Sequence, residues 1–202
     1  MALLLNKVLN SIIQIILFAL IPFIWWYISG RKQEKFTQWI GLKKLNGKKK
    51  KIVGAVIVIS VLFMILGAII LYNLKNVEMA TSVFKGLGLC AFPAILVYAI
   101  FNTAFPEELF FRGFILKRAS DKFGFICGNC IQAILFALLH GVMFISLVGM
   151  PKSILIVVFT GLIAYSMGYV NEKMANGSII PSWIIHSLSN IFSGICMAFM
   201  LI

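Results

Sequence analysis

The sequence predicts an all-α, polytopic integral membrane protein with about six to seven transmembrane helices. Three observations predict it: 61% of the residues are hydrophobic, only 12% are charged, and the mean hydropathy is +1.03. Soluble domains carry about 25% charged residues. Apolar runs of roughly 20 residues, the length that crosses a ~30 Å hydrocarbon core, recur along the whole 202-residue chain. They leave no stretch for a separate soluble domain, and lipid must be the solvent for most of the protein.

The first run, residues 8–29, is too long for a signal-peptide core. It ends in Trp25, Trp26 and Tyr27, an interfacial aromatic cluster, followed by Arg31 and Lys32 as a basic stop. We read it as a retained span. Further spans are expected at 52–72, 86–105, 128–148, 153–170 and 179–202, with a shorter segment at 106–117. Pro106 can open that segment, because the N–H it lacks would be unpaired in a first helical turn. Pro151 and Pro181 mark the starts of the last two spans in the same way.

Net charge is +12, yet nine of the eighteen basic residues lie between Arg31 and Lys51. The basicity belongs to one loop and not to a nucleic-acid-binding face, so the expected partner of loop 30–51 is anionic lipid headgroup and no nucleic acid. Within it Phe36, Trp39, Ile40 and Leu45 suit either one face of an interfacial helix or a disordered basic tether. Placing this loop in the cytosol also puts 117–122 and 171–178 there, which collects 13 basic residues against four on the other side. The positive-inside rule then predicts an external N-terminus and a multi-pass protein of the cell membrane. Cys127 and Cys130 have a C-x-x-C spacing, but Cys90, Cys127, Cys130 and Cys196 all sit in or beside apolar segments, where packing is the plainer role.

An ionisable side chain deep in a span costs about 2.5–3.5 kcal/mol on insertion scales, so it marks function or a paired network. The candidates are Glu107, Glu108, Arg112, His140 and His186, with the amide of Asn190. Glu108 and Arg112 are four apart and share a helix face, which suits a neutralising ion pair. Glu107 is rotated by about 100° and lacks that partner; at the start of a helix opened by Pro106 it would feel the positive end of the dipole. His140 follows Phe136 by one turn, and His186 and Asn190 share a face of the last span. Counting rises from the ends of the spans puts Glu107 ~15 Å and His186 ~12 Å deep. His140 reaches that layer only if its helix starts near Gly128, leaving 123–127 interfacial or re-entrant.

A carboxylate, two imidazoles and an amide in one layer suit amide hydrolysis. Glu107 and His140 can activate a water, with His186 and Asn190 donating to the oxyanion. Alternatively Glu107, His140 and His186 suit an open catalytic zinc site. The cofactor is therefore either none or one zinc ion. On faces and spacing, Glu107 pairs with His140 and His186 with Asn190.

Glu107-Glu108-x-x-x-Arg112-Gly113, Phe136-x-x-x-His140 and His186-x-x-x-Asn190 occur in the order of the three-motif signature of the CAAX-protease and bacteriocin-processing (CPBP, Abi-type) family, which this chain resembles. The resemblance implies an intramembrane endopeptidase acting on a membrane-associated peptide or protein. Glu107 and His140 would activate water, His186 and Asn190 would support the oxyanion, and Glu108 and Arg112 would be the supporting pair. It divides the chain into N-terminal transmembrane helices, 1–85, and a catalytic membrane core, 86–202. Two other functions fit the same residues: a non-catalytic bacteriocin self-immunity or binding protein on this fold, and a proton or ion transporter. The absence of inverted repeats in the sequence argues against the transporter.

Overall fold

The computed structural model describes residues 1–75 and 77–201, and among them every regular element is helical. The elements are α1 (Ala2–Ser29), the short α2 (Phe36–Trp39), α3 (Lys49–Asn73), α4 (Gly88–Phe123), α5 (125–148), α6 (150–174) and α7 (Ile180–Ala198). Ala2–Ser29, Lys49–Asn73, Gly88–Phe123 and Phe125–Met174 are each long and apolar enough to cross a membrane. This is a membrane protein. The expected count of six to seven is approximate: the fourth segment is broken inside, and α7 falls outside the four because its polar residues lower its hydropathy.

Two boundaries differ from the sequence expectation. Residues 86–105 and 106–117 are not separate helices, and Pro106 does not open one: α4 runs unbroken through it. Two π-helical turns, Tyr98–Ala104 and Leu109–Leu116, flank the proline. Such turns shift hydrogen bonds by one residue, and in a membrane the freed backbone groups must find partners inside the protein. The Trp183 indole supplies one, donating to the Ile100 carbonyl at 2.9 Å. Glu107 therefore sits in the middle of a long helix and not at a dipole end. The second difference is at α5, which begins at Phe125, so residues 125–127 are helical rather than re-entrant. The break between α5 and α6 falls at Gly149, whose φ of +74° is readily adopted only without a Cβ, two residues before Pro151.

Burial is inverted relative to a soluble bundle. On α1 the buried residues are Ser11 and Pro22, and on α3 Ile52 and Ser60, while Leu9, Ile13, Ile16, Ile57 and Ile65 are exposed. Large apolar residues gain nothing by leaving lipid, so small and polar ones turn inward. The centre of the molecule is α4, packed by α1, α5 and α7, with α3 against α7. Phe111, Ala133, Phe136 and Ala164 form one cluster of its core, and Ile95, Tyr98 and Ala198 belong to another.

The first half of loop 30–51 is ordered rather than a disordered tether, and its helical part is the single turn of α2. Trp39 and Ile40 are buried against Leu109 and Phe114, and the Arg118 guanidinium lies 4.2 Å from the Trp39 ring centroid. The aromatic residues expected to face lipid found aromatic and cationic partners on α4 instead. The loop is also tied to the turn before α7: Ile179 N–H donates to Gly41 O at 2.9 Å, and Ser178 Oγ donates to Lys43 O at 2.8 Å. Lys117 completes this end, its ammonium 2.7 Å from Glu172 and 2.8 Å from Gly177 O.

Gly113 is a point of close approach between loop and core: a Cβ there would meet Ile40 O at 2.6 Å. Gly113→Ala should therefore lower stability by about 1–3 kcal/mol through overpacking. Thermal denaturation in detergent reads this as a fall of several degrees; an unchanged midpoint would mean that Ile40 moves aside freely.

Candidate active site

Glu108 and Arg112 lie on consecutive turns of α4 and are both 0% exposed. The Arg112 Nη1 is 3.1 Å from Glu108 Oε1. The contact is ionic rather than a well-aligned hydrogen bond, for all three guanidinium nitrogens lack an acceptor among the described residues. The cation is held instead between the carboxylate and the face of Phe136, whose centroid is 4.3 Å from Arg112 Cζ.

The two histidines are fixed around the same pair. His186, from the second turn of α7, places Nδ1 2.9 Å from Glu108 Oε1. A carboxylate in this ion pair accepts, so Nδ1 carries the proton, and in the neutral imidazole Nε2 holds the lone pair. Nε2 lies 3.8 Å from Glu107 Oε2. On α5 the His140 Nδ1 is 2.9 Å from the Phe136 carbonyl. A carbonyl can only accept, which again assigns the proton to Nδ1 and leaves Nε2 of the neutral ring as a base. The Phe136 ring lies 4.4 Å from that of His140 and 6.0 Å from that of His186, centroid to centroid. Asn190, one turn beyond His186, donates through Nδ2 to Thr103 Oγ1 at 2.7 Å. Thr103 in turn donates to the Tyr98 carbonyl at 3.2 Å, inside the first π turn.

Glu107, His140, His186 and Asn190 line one cavity of about 350 Å³, together with Tyr98 and Thr103 and roofed by residues 78–81. A second cavity of about 200 Å³ shares both histidines and Asn190 and runs along Phe63, Gly67 and Ile70 of α3. Glu107 Oε2 is a buried atom with no hydrogen-bond partner among the described residues. The Glu107 side chain as a whole is partly exposed within this cavity, which is large enough for water and a peptide group.

The structure brings together the residues that the spacing singled out, but their pairing is crossed. His186 bonds Glu108 and not Asn190, and Glu107 lies nearest His186 rather than His140. Helix-face counting assumed regular α-helix through 105–116, whereas the π turns change the angle between successive side chains there. Thr103 and Trp183 were missed as partners; a polar hydroxyl one turn before Pro106 was the available signal for the first. Buried Asn171, which donates to Ser182 Oγ at 2.7 Å and so fixes the start of α7, gave no such signal.

The donors do not fit a zinc ion as they stand. Among the described residues no three His, Cys, Asp or Glu side chains are gathered closely enough to hold a metal. Nδ1 of each histidine is engaged by an oxygen, which leaves both Nε2 atoms free as metal ligands would be, but Glu107 approaches only one of the two rings.

Helices long enough to span a membrane, with a buried Glu-Arg-His cluster beneath a Glu-His-Asn cavity, define an all-helical membrane protein with a built polar site. The chain belongs to the Rce1-like family: residues 89–192 match type II CAAX prenyl endopeptidase Rce1-like. This agrees with the resemblance to the CPBP group and supports a peptidase of the CAAX-protease type. Neither the curated proteins nor the solved structures contain a match.

Removing the guanidinium while leaving its carboxylate strands a buried charge, which costs about 3–5 kcal/mol. Arg112→Ala should therefore sharply reduce the yield of folded, monodisperse protein in detergent. Size-exclusion profiles and melting curves matching wild type would show that Glu108 does not depend on Arg112.

Proposed function

We propose that the protein is a multi-pass intramembrane endopeptidase that hydrolyses a peptide bond of a membrane-associated peptide or protein, its machinery in residues 86–202. The single observation that carries the reading is the unpartnered Glu107 carboxylate in a cavity it shares with His140, His186 and Asn190. The proximity of a carboxylate base, an imidazole Nε2 and a spare amide N–H is what water attack on an amide needs.

The steps use the chain's own groups. The Glu107 carboxylate accepts a proton from a water that His140 Nε2 orients, and the hydroxide adds to the substrate carbonyl carbon. Asn190 gives one Nδ2 hydrogen to Thr103 and has a second for the oxyanion. His186 adds a donor there when its Nε2 carries a proton, the imidazolium then lying between Glu107 and Glu108. Collapse breaks the C–N bond, and the leaving amine takes the proton from Glu107. Glu108 and Arg112 act through position: they hold His186 and Phe136, and Phe136 holds His140.

The apolar crevice along Phe63, Gly67 and Ile70 supports a substrate with an apolar or lipidated part, since these half-buried residues of α3 line it beside both histidines. Loop 30–51 faces the cytosol in this reading, and its exposed Lys44 and Lys48 to Lys51 suit anionic headgroups.

Purified protein in detergent should cut an amphipathic or lipidated peptide, and Glu107→Ala and His140→Ala should each lower the rate by about 10²–10⁴-fold. Wild-type-like cleavage by either variant overturns the assignment. A Glu107→Ala protein that keeps its cellular effect while peptide stays intact would mark a binder instead. Dialysis against a chelator should leave cleavage unchanged; loss restored by added zinc would require the donors to rearrange into a metal site.

A further inference from the structure

Nine residues of regular α-helix make about two and a half turns, which would set Tyr98 and Glu107 on opposite faces of α4. They share one. The π turn over Tyr98–Ala104 holds more residues per turn, and Tyr98, Thr103 and Glu107 all line the 350 Å³ cavity. The Thr103 hydroxyl marks this register by donating to the Tyr98 carbonyl five residues back. Tyr98 is only 7% exposed. Its ring is held edge-on by Phe84, centroids 5.6 Å apart, and by the Lys7 ammonium 4.9 Å from its centroid, while its phenol lies within electrostatic reach of the Glu107 carboxylate. A phenylalanine would make the same ring contacts, and a buried hydroxyl without a partner costs free energy.

The side-chain donors of the cavity are few. With Nδ1 protonated, each neutral histidine presents a lone pair at Nε2. Thr103 gives its hydrogen to the Tyr98 carbonyl, and Asn190 gives one of its two to Thr103. Apart from the Thr81–Ser193 hydroxyl pair at 3.4 Å, that leaves the second Asn190 hydrogen and the Tyr98 O–H. We propose that Tyr98 is a further catalytic residue, whose hydroxyl joins Asn190 in donating to the carbonyl oxygen of the scissile peptide group as that oxygen gains charge. The assignment rests on the peptidase reading. A phenol is protonated at neutral pH, so this donor is in place even when His186 is neutral. Fixed donors aimed at a developing oxyanion are among the largest contributions a site can make to the rate.

The full-length Tyr98→Phe protein keeps the ring and loses only the donor. Its kcat and KM are measured in detergent on an amphipathic peptide, and again on the same peptide with the scissile C=O replaced by C=S, whose sulfur is a weak acceptor. On the amide, kcat should fall by about 10²-fold while KM and the melting midpoint stay at their wild-type values. On the thioamide the loss caused by Tyr98→Phe should shrink to less than about tenfold, because the variant and the substrate then remove the same hydrogen bond. An amide kcat within about threefold of wild type overturns the proposal. Equal losses on both substrates overturn it too, since a packing role does not distinguish oxygen from sulfur. Cleavage abolished by Glu107→Ala but untouched by Tyr98→Phe sinks the donor alone, whereas a wild-type protein that cuts neither peptide sinks the peptidase reading and the donor with it.

Discussion

The Arg112 guanidinium, buried between Glu108 and the Phe136 ring, is the constraint on which the site depends. A lone cation or carboxylate at that depth would be expelled or neutralised, while a paired one is tolerated as long as its geometry holds. Glu108 then has an accepting oxygen for His186 Nδ1, and the residue whose ring faces Arg112 gives its carbonyl to His140 Nδ1. Three helices, α4, α5 and α7, are thereby fixed to one another by a single polar cluster. Because each member satisfies the next, the cluster sets both tautomers as well as the packing.

The π turns of α4 are the second element of the design. They carry Pro106 through a continuous helix and turn two adjacent glutamates toward the interior, where one is consumed by the ion pair and the other is left over. Their cost is displaced backbone hydrogen bonds in lipid, and Trp183, Thr103 and Asn190 form the set of side chains that take up this slack. Asn190 is thus tied to helix α4 through Thr103 at the same place where its free hydrogen faces the cavity.

Much of this was legible in the sequence. Hydropathy identified the helical membrane class, because the bilayer enforces long apolar segments so strictly. Glu107, Glu108, Arg112, His140, His186 and Asn190 stood out because polar groups in such segments are rare, and the i, i+4 spacing identified the Glu108–Arg112 pair. The partner of His186 was not legible, since it depends on the axial rotation of α4 and α7, and the π turns alter that rotation without leaving a local signature beyond Pro106. The burial of Trp39 and Ile40 was hidden for a related reason: amphipathic pattern says that a face is covered, but not whether lipid or protein covers it.

The lacing at the Lys-rich end has a mechanical consequence. Loop 30–51, the turn before α7 and Lys117 of α4 are bound to one another at several points, so a displacement of one is passed to the others. A change in the position of the loop is therefore passed to the start of α7, the helix that carries His186 and Asn190.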